Sequence, residues 1–168
     1  MNFDIFELKS NIIDFFTNRV MICAVFAWFT AQLLKIFTSP KHRDGLSVLR
    51  FLIGSGGMPS SHSAAVCATA ISCGILYGFN SPLFAISGVL AVVVMRDAAG
   101  VRRESGKQAA VLNQVTRELN KKRSNFDFDM LSELLGHTPL QVLFGAILGT
   151  AMAFFCQGFL FPIIFPAA

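Results

Sequence analysis

Charge is scarce in this chain: 14% of its 168 residues are Asp, Glu, Lys or Arg, against about 25% in an ordinary soluble domain. With 54% of residues apolar and a mean hydropathy of +0.59, that deficit excludes an ordinary cytosolic domain and points to a membrane protein. Interfacial aromatics are scarce too, one Trp and one Tyr against 18 Phe, so lipid-facing surface is present without the usual aromatic belt. The four cysteines, Cys23, Cys67, Cys73 and Cys156, sit inside apolar stretches without C-x-x-C spacing. That pattern implies neither a disulfide framework nor a zinc site and reads as small packing residues. The apolar fraction and the absence of repeats exclude disordered, collagenous and coiled-coil chains. The acidic start, Met1-Asn2-Phe3-Asp4, lacks a basic n-region, so no removable signal peptide is expected.

What is present is apolar sequence in four blocks, near residues 20–37, 63–79, 83–95 and 140–161. Each is measured against the roughly 20 residues of a spanning helix. The second and third are short, and are expected to extend into flanking motifs or to be lined by protein. The expected architecture is all-α: a single integral-membrane domain over residues 1–168, with about four spans and a surface amphipathic helix over 101–123. Gly74-x-x-x-Gly78 and Gly145-x-x-x-Gly149 place small residues where helices can approach closely.

Twelve of the fourteen cations fall in or beside the two long polar connections, which four spans place on one side of the membrane. They include Lys35, Arg96, Arg102, Arg103, Lys107 and Arg117. The positive-inside rule makes that side the cytoplasm, and a bacterial inner membrane is the expected location.

Three segments on that side carry chemistry. Gly54-Ser55-Gly56-Gly57-Met58-Pro59-Ser60-Ser61-His62-Ser63 precedes a helix. Glycines permit close backbone approach, serines cap helices, and a helix N-terminus offers N–H groups and a positive dipole end to a phosphate. Arg96-Asp97-Ala98-Ala99-Gly100-Val101-Arg102-Arg103 ends the third span. Arginines there match phosphate oxygens bidentately, and ionisable groups beside an apolar helix are costly unless used. Gly136-His137-Thr138-Pro139, followed by Gln141, opens the fourth. Two histidines and a cationic cluster at one face suit phosphoryl transfer through a phosphohistidine.

These three segments, with Gly106, Gln108-Ala109 and Asn113, resemble the divergent branch of the phosphatidic acid phosphatase type 2 superfamily. The resemblance implies His137 as nucleophile, His62 as general acid, and Ser60 and Ser61 as lining of the phosphate pocket. It makes Lys35 the counterpart of the lysine in the superfamily's first motif, K-x6-R-P. Gly57, Asn113 and Gln141 are supporting residues. The chain departs from the wider superfamily at three points: His42 follows Lys35 by seven residues, Leu131 precedes His137 by six, and Gln141 stands where the third motif has aspartate. Arg102 and Arg103 are candidates to replace the missing arginines, and Asp97 the missing carboxylate. A glutamine can accept the histidine N–H but supplies no negative charge.

The expected activity is metal-free and cofactor-free hydrolysis of a lipid phosphomonoester or pyrophosphate that enters from the bilayer. The alternative is a catalytically weak or inactive membrane protein that binds phospholipid headgroups or a partner. Membrane lipid is the expected partner, with no nucleic acid, and a homo-oligomer is possible. Four spans also predict both termini on the side opposite the site. A topology reporter fused to the C-terminus should read the non-cytoplasmic side; a cytoplasmic C-terminus would overturn this orientation.

Overall fold

The computed structural model describes residues 5–38, 57–122 and 137–164. Helix α1 spans Ile5–Phe16 and α2 spans Arg19–Thr38, separated by Thr17 and Asn18. Asn18 starts α2: its Oδ1 accepts the backbone N–H of Met21 at 3.1 Å. Helix α3 is Ser61–Tyr77, with the Ser60 side chain accepting from Ser63 N. It ends at Gly78, whose φ of 90° is left-handed and suits glycine. Ser81 then caps α4, Pro82–Arg96, with proline in the first turn.

Helix α4 passes through a π-helical turn, Asp97–Val101, into α5, Arg102–Lys122. Helix α6, Pro139–Phe155, opens on a full capping box between Thr138 and Gln141. A second π-helical turn, Cys156–Leu160, leads into the short α7, Phe161–Ile164. Gly54-Ser55-Gly56 of the glycine-serine motif, His42, Leu131 and Gly136 lie outside the described residues.

The size of the buried side chains shows how these helices pack. The core where α2, α3 and α6 meet is built from Cys23, Ala27, Ala31, Ala64, Ala68, Ala153, Cys156 and Phe161. Large apolar residues face outward instead, among them Phe37, Ile86, Val93, Leu143 and Phe159. Small inside and large outside is the pattern of helices packed in lipid, where bulky side chains gain nothing by turning inward. Three helical stretches, Arg19–Thr38, Pro82–Leu119 and Pro139–Ile164, are long and apolar enough to cross a membrane, and Ser61–Tyr77 is a shorter apolar helix. The protein is an all-α integral membrane bundle.

Helix α3 is the central element, in contact with α2, α4 and α6. Its 17 residues reach about 25 Å, less than the roughly 30 Å hydrocarbon core, so it suits a protein-lined position. The contact with α6 is the closest. A Cβ on Gly145 would lie 2.9 Å from the Ser63 Cβ, and one on Gly149 would lie 2.9 Å from the Ala64 Cα. The pair Gly74 and Gly78 does different work from the helix packing expected of it. Gly74 accommodates the ring of Phe79, 2.6 Å from an added Cβ, and Gly78 is the helix terminator.

Helix α5 forms where helical periodicity predicts one. Its apolar stripe, Val111, Leu112, Val115 and Leu119, is exposed. The buried stripe on the same helix is Gly106, Ala109 and Asn113, at i, i+3 and i+7. Small residues again mark the face that protein covers.

Filling the α3–α6 contact should be costly. Gly149→Ala is expected to destabilise the bundle by about 1–3 kcal/mol, read as a lower melting temperature in detergent. Gly88→Ala, where an added Cβ meets nothing within 4 Å, should leave melting unchanged or raise it.

Candidate functional site

One end of the bundle collects most of the buried polar side chains among the described residues. Lys35 lies three residues before the end of α2 and is 0% exposed. Its ammonium donates to Gln32 Oε1 at 2.7 Å and to Ser61 Oγ at 3.1 Å. Gln32 and Ser61 are themselves buried. Both acceptors are neutral, and among the described residues Lys35 forms no ion pair. Among the described residues that ammonium meets no counter-charge and its third N–H has no acceptor, which favours an anion beside it.

Three further contacts join the helix ends. Thr38 Oγ1 donates to the carbonyl of Met58, tying the end of α2 to the segment before α3. Ser60 N donates to the carbonyl of Gln141 at 3.0 Å, tying that segment to the first turn of α6. His137 N donates to the carbonyl of Ala98 at 3.1 Å, tying the α6 start to the π-helical turn. A π turn displaces carbonyls from the regular helical ladder, and here one of them receives the backbone of a motif histidine. The N-termini of α3 and α6 therefore sit at the same end as Lys35, and both present positive dipole ends to it.

The predicted site residues take distinct positions in this frame. His137 is buried, with Nδ1 3.2 Å from Gln141 Oε1. Ser61 meets Lys35 directly. Ser60 is fully buried, and its hydroxyl is engaged within α3, 3.0 Å from Ser63 Oγ while accepting Ser63 N at 3.3 Å. His62, the next residue on α3 after Ser61, is exposed. Asp97 opens the π turn and is half-buried, one residue before the carbonyl that holds His137. Gly57 has a φ of 78°, which lets the chain turn ahead of Pro59. Asn113 is buried on α5. Arg102 and Arg103 lie on the first turn of α5, and their side chains are outside the described residues.

Gln32 is the site residue that sequence reasoning missed. It was visible only as a polar break in an apolar block, although its i, i+3 spacing to Lys35 put both on one face of α2. The tie through the Ala98 carbonyl left no trace in sequence, because any residue supplies a carbonyl. Among the described residues no group of three His, Cys, Asp or Glu side chains could hold a metal ion.

The Divergent PAP2 family profile matches residues 16–152, which takes in Lys35, the Ser60–His62 segment, the π turn and the α6 start. The chain belongs to this family. It is also 37% identical over 149 residues to an uncharacterised membrane protein of Bacillus subtilis (strain 168), YuiD, covering 81% of this chain and 92% of that one. No solved structure matches it significantly.

If Lys35 is kept for an anion, replacing it with an apolar side chain of similar length should leave the bundle folded. Lys35→Met is expected to match or exceed the native melting temperature, because it removes a buried charge that meets no counter-charge among the described residues. The same variant should lose stabilisation by added phosphate or orthovanadate, an effect worth about 2.7 kcal/mol at a hundredfold excess over Kd. Equal stabilisation of native and variant protein by the anion would remove Lys35 from the site.

Proposed function

We propose that this family member is a membrane-embedded phosphatase acting on a lipid phosphomonoester or pyrophosphate, with its site at the cytoplasmic face of a bacterial inner membrane. The observation that carries this is the fully buried Lys35 ammonium, held among the described residues by two neutral acceptors, Gln32 and Ser61. The substrate's phosphate would sit against Lys35 and Ser61 and the N-termini of α3 and α6, with Arg102 and Arg103 closing on it from the start of α5. The exposed Phe37 and Leu34, flanking Lys35 on α2, offer an acyl chain an apolar approach from the bilayer.

In the first step a ring nitrogen of His137 bonds to phosphorus and the P–O bond to the lipid breaks. The departing oxygen takes its proton from His62. In the second, His62 removes a proton from water, whose oxygen bonds to phosphorus as the P–N bond breaks. Inorganic phosphate leaves and both histidines are restored. Asp97 would offset the positive charge that develops nearby.

A second possibility is a protein that keeps the anion pocket to bind phospholipid headgroups without turning them over. The neutral Gln141 beside His137 favours it, since no carboxylate in that place stabilises an imidazolium. Phosphate release by purified protein from a panel of lipid phosphates and pyrophosphates separates the two. The phosphatase should release phosphate, and His137→Ala and His62→Ala should each lower the rate by about a hundredfold or more. Binding of the same lipids without release by the native protein would establish the second possibility and end the first.

A further inference from the structure

We propose that Gln141 is a positioning residue that holds neutral His137 as the Nδ1–H tautomer, with the lone pair on Nε2. The hydrogen-bond pattern requires this assignment. Gln141 Oε1 lies 2.9 Å from the backbone N of Thr138 and 3.2 Å from His137 Nδ1. A backbone N–H only donates, so the amide atom that meets Thr138 must be the oxygen and not the nitrogen. That oxygen only accepts, so the His137 nitrogen facing it must carry a proton. A free neutral histidine side chain favours the other tautomer, so the protein selects against the intrinsic preference.

The same residue also sets where the ring stands. Its amide oxygen completes the capping box of α6, with Gln141 N returning to Thr138 Oγ1 at 3.3 Å. Its carbonyl accepts Ser60 N at 3.0 Å. The side chain thus orients His137 while the main chain anchors the segment that carries Ser61 and His62. This inference rests on the proposed phosphatase for the statement that Nε2 is the nitrogen that bonds to phosphorus. The tautomer itself does not depend on that proposal.

The chain has three histidines, so the double variant His42→Gln/His62→Gln leaves His137 as the sole imidazole. Nitrogen-15 NMR of this protein in detergent reads its tautomer directly, at a pH where the ring is neutral. We expect the Nδ1–H pattern with Gln141, and the same pattern in Gln141→Glu, which keeps both acceptor contacts. Gln141→Leu should shift the ring toward Nε2–H. An Nε2–H ring with Gln141 in place, or an Nδ1–H ring that survives Gln141→Leu unchanged, overturns the assignment. Should Gln141→Leu fail to fold, the tautomer with Gln141 present decides alone.

In the chain with all three histidines, Gln141→Leu should lower kcat on an accepted lipid phosphate by about tenfold or more. KM should stay within about twofold, because the residue orients the nucleophile and does not hold the phosphate. Gln141→Glu should recover most of the loss. An Nδ1–H ring in a protein that hydrolyses none of the lipid panel would keep the positioning role and end the phosphatase proposal.

Discussion

The backbone of α6 lies against the backbone of α3 at Gly145 and Gly149, and the site depends on that approach. At Gly145 the near neighbours are Ser60 and Ser63, the residues that begin α3. One turn earlier on α6, the carbonyl of Gln141 receives Ser60 N. Side chains at the two glycines would push the helices apart and pull the Gln141 carbonyl away from Ser60 N. In lipid there is little hydrophobic drive to close such a gap, since the surrounding tails are as apolar as the helix faces. Close packing between small residues is then the main force that holds the bundle in register, and the polar end of the molecule inherits its geometry from it.

The polar end in turn gathers the groups from which the proposed anion site is drawn. A buried ammonium with neutral partners, two helix N-termini, and a histidine held at ring and backbone occupy the ends of four helices. Each would be costly in an apolar setting without a function, and together they concentrate positive potential in one place. Gln141 stands between the parts. It caps α6, holds the His137 ring and fastens the Ser60 segment, so orientation is maintained by a neutral amide where a carboxylate would also have supplied charge.

Much of this was legible from residue types in order. The apolar blocks became helices within a few residues of their expected ends, because span length and the Ser, Thr, Asn and Pro caps are local properties. Lys35 was picked out through the family resemblance, as the counterpart of the first-motif lysine, and it does meet Ser61. The small-residue pair at Gly145 and Gly149 packs as expected. The matching pair at Gly74 and Gly78 does not: one meets an aromatic ring of its own turn and the other needs a positive φ. Helix α1 went unforeseen, because its short amphipathic pattern precedes the first apolar block. In α5 the apolar periodicity located the helix, but the buried stripe is the one with Gly106, Ala109 and Asn113.

By itself the sequence determined the solvent in which this protein folds, the family to which it belongs and the residues from which a phosphate site can be drawn. Those follow from composition, local capping chemistry and motif spacing. Only the tertiary structure decided that Gln32 and Ser61 share the Lys35 ammonium, that the Ala98 carbonyl grips His137, and that one glutamine oxygen sets that ring's proton. The physical reason is that these contacts join residues distant in sequence. They depend on how closely α3 and α6 approach, on a π turn that redirects a carbonyl, and on which face each helix turns inward.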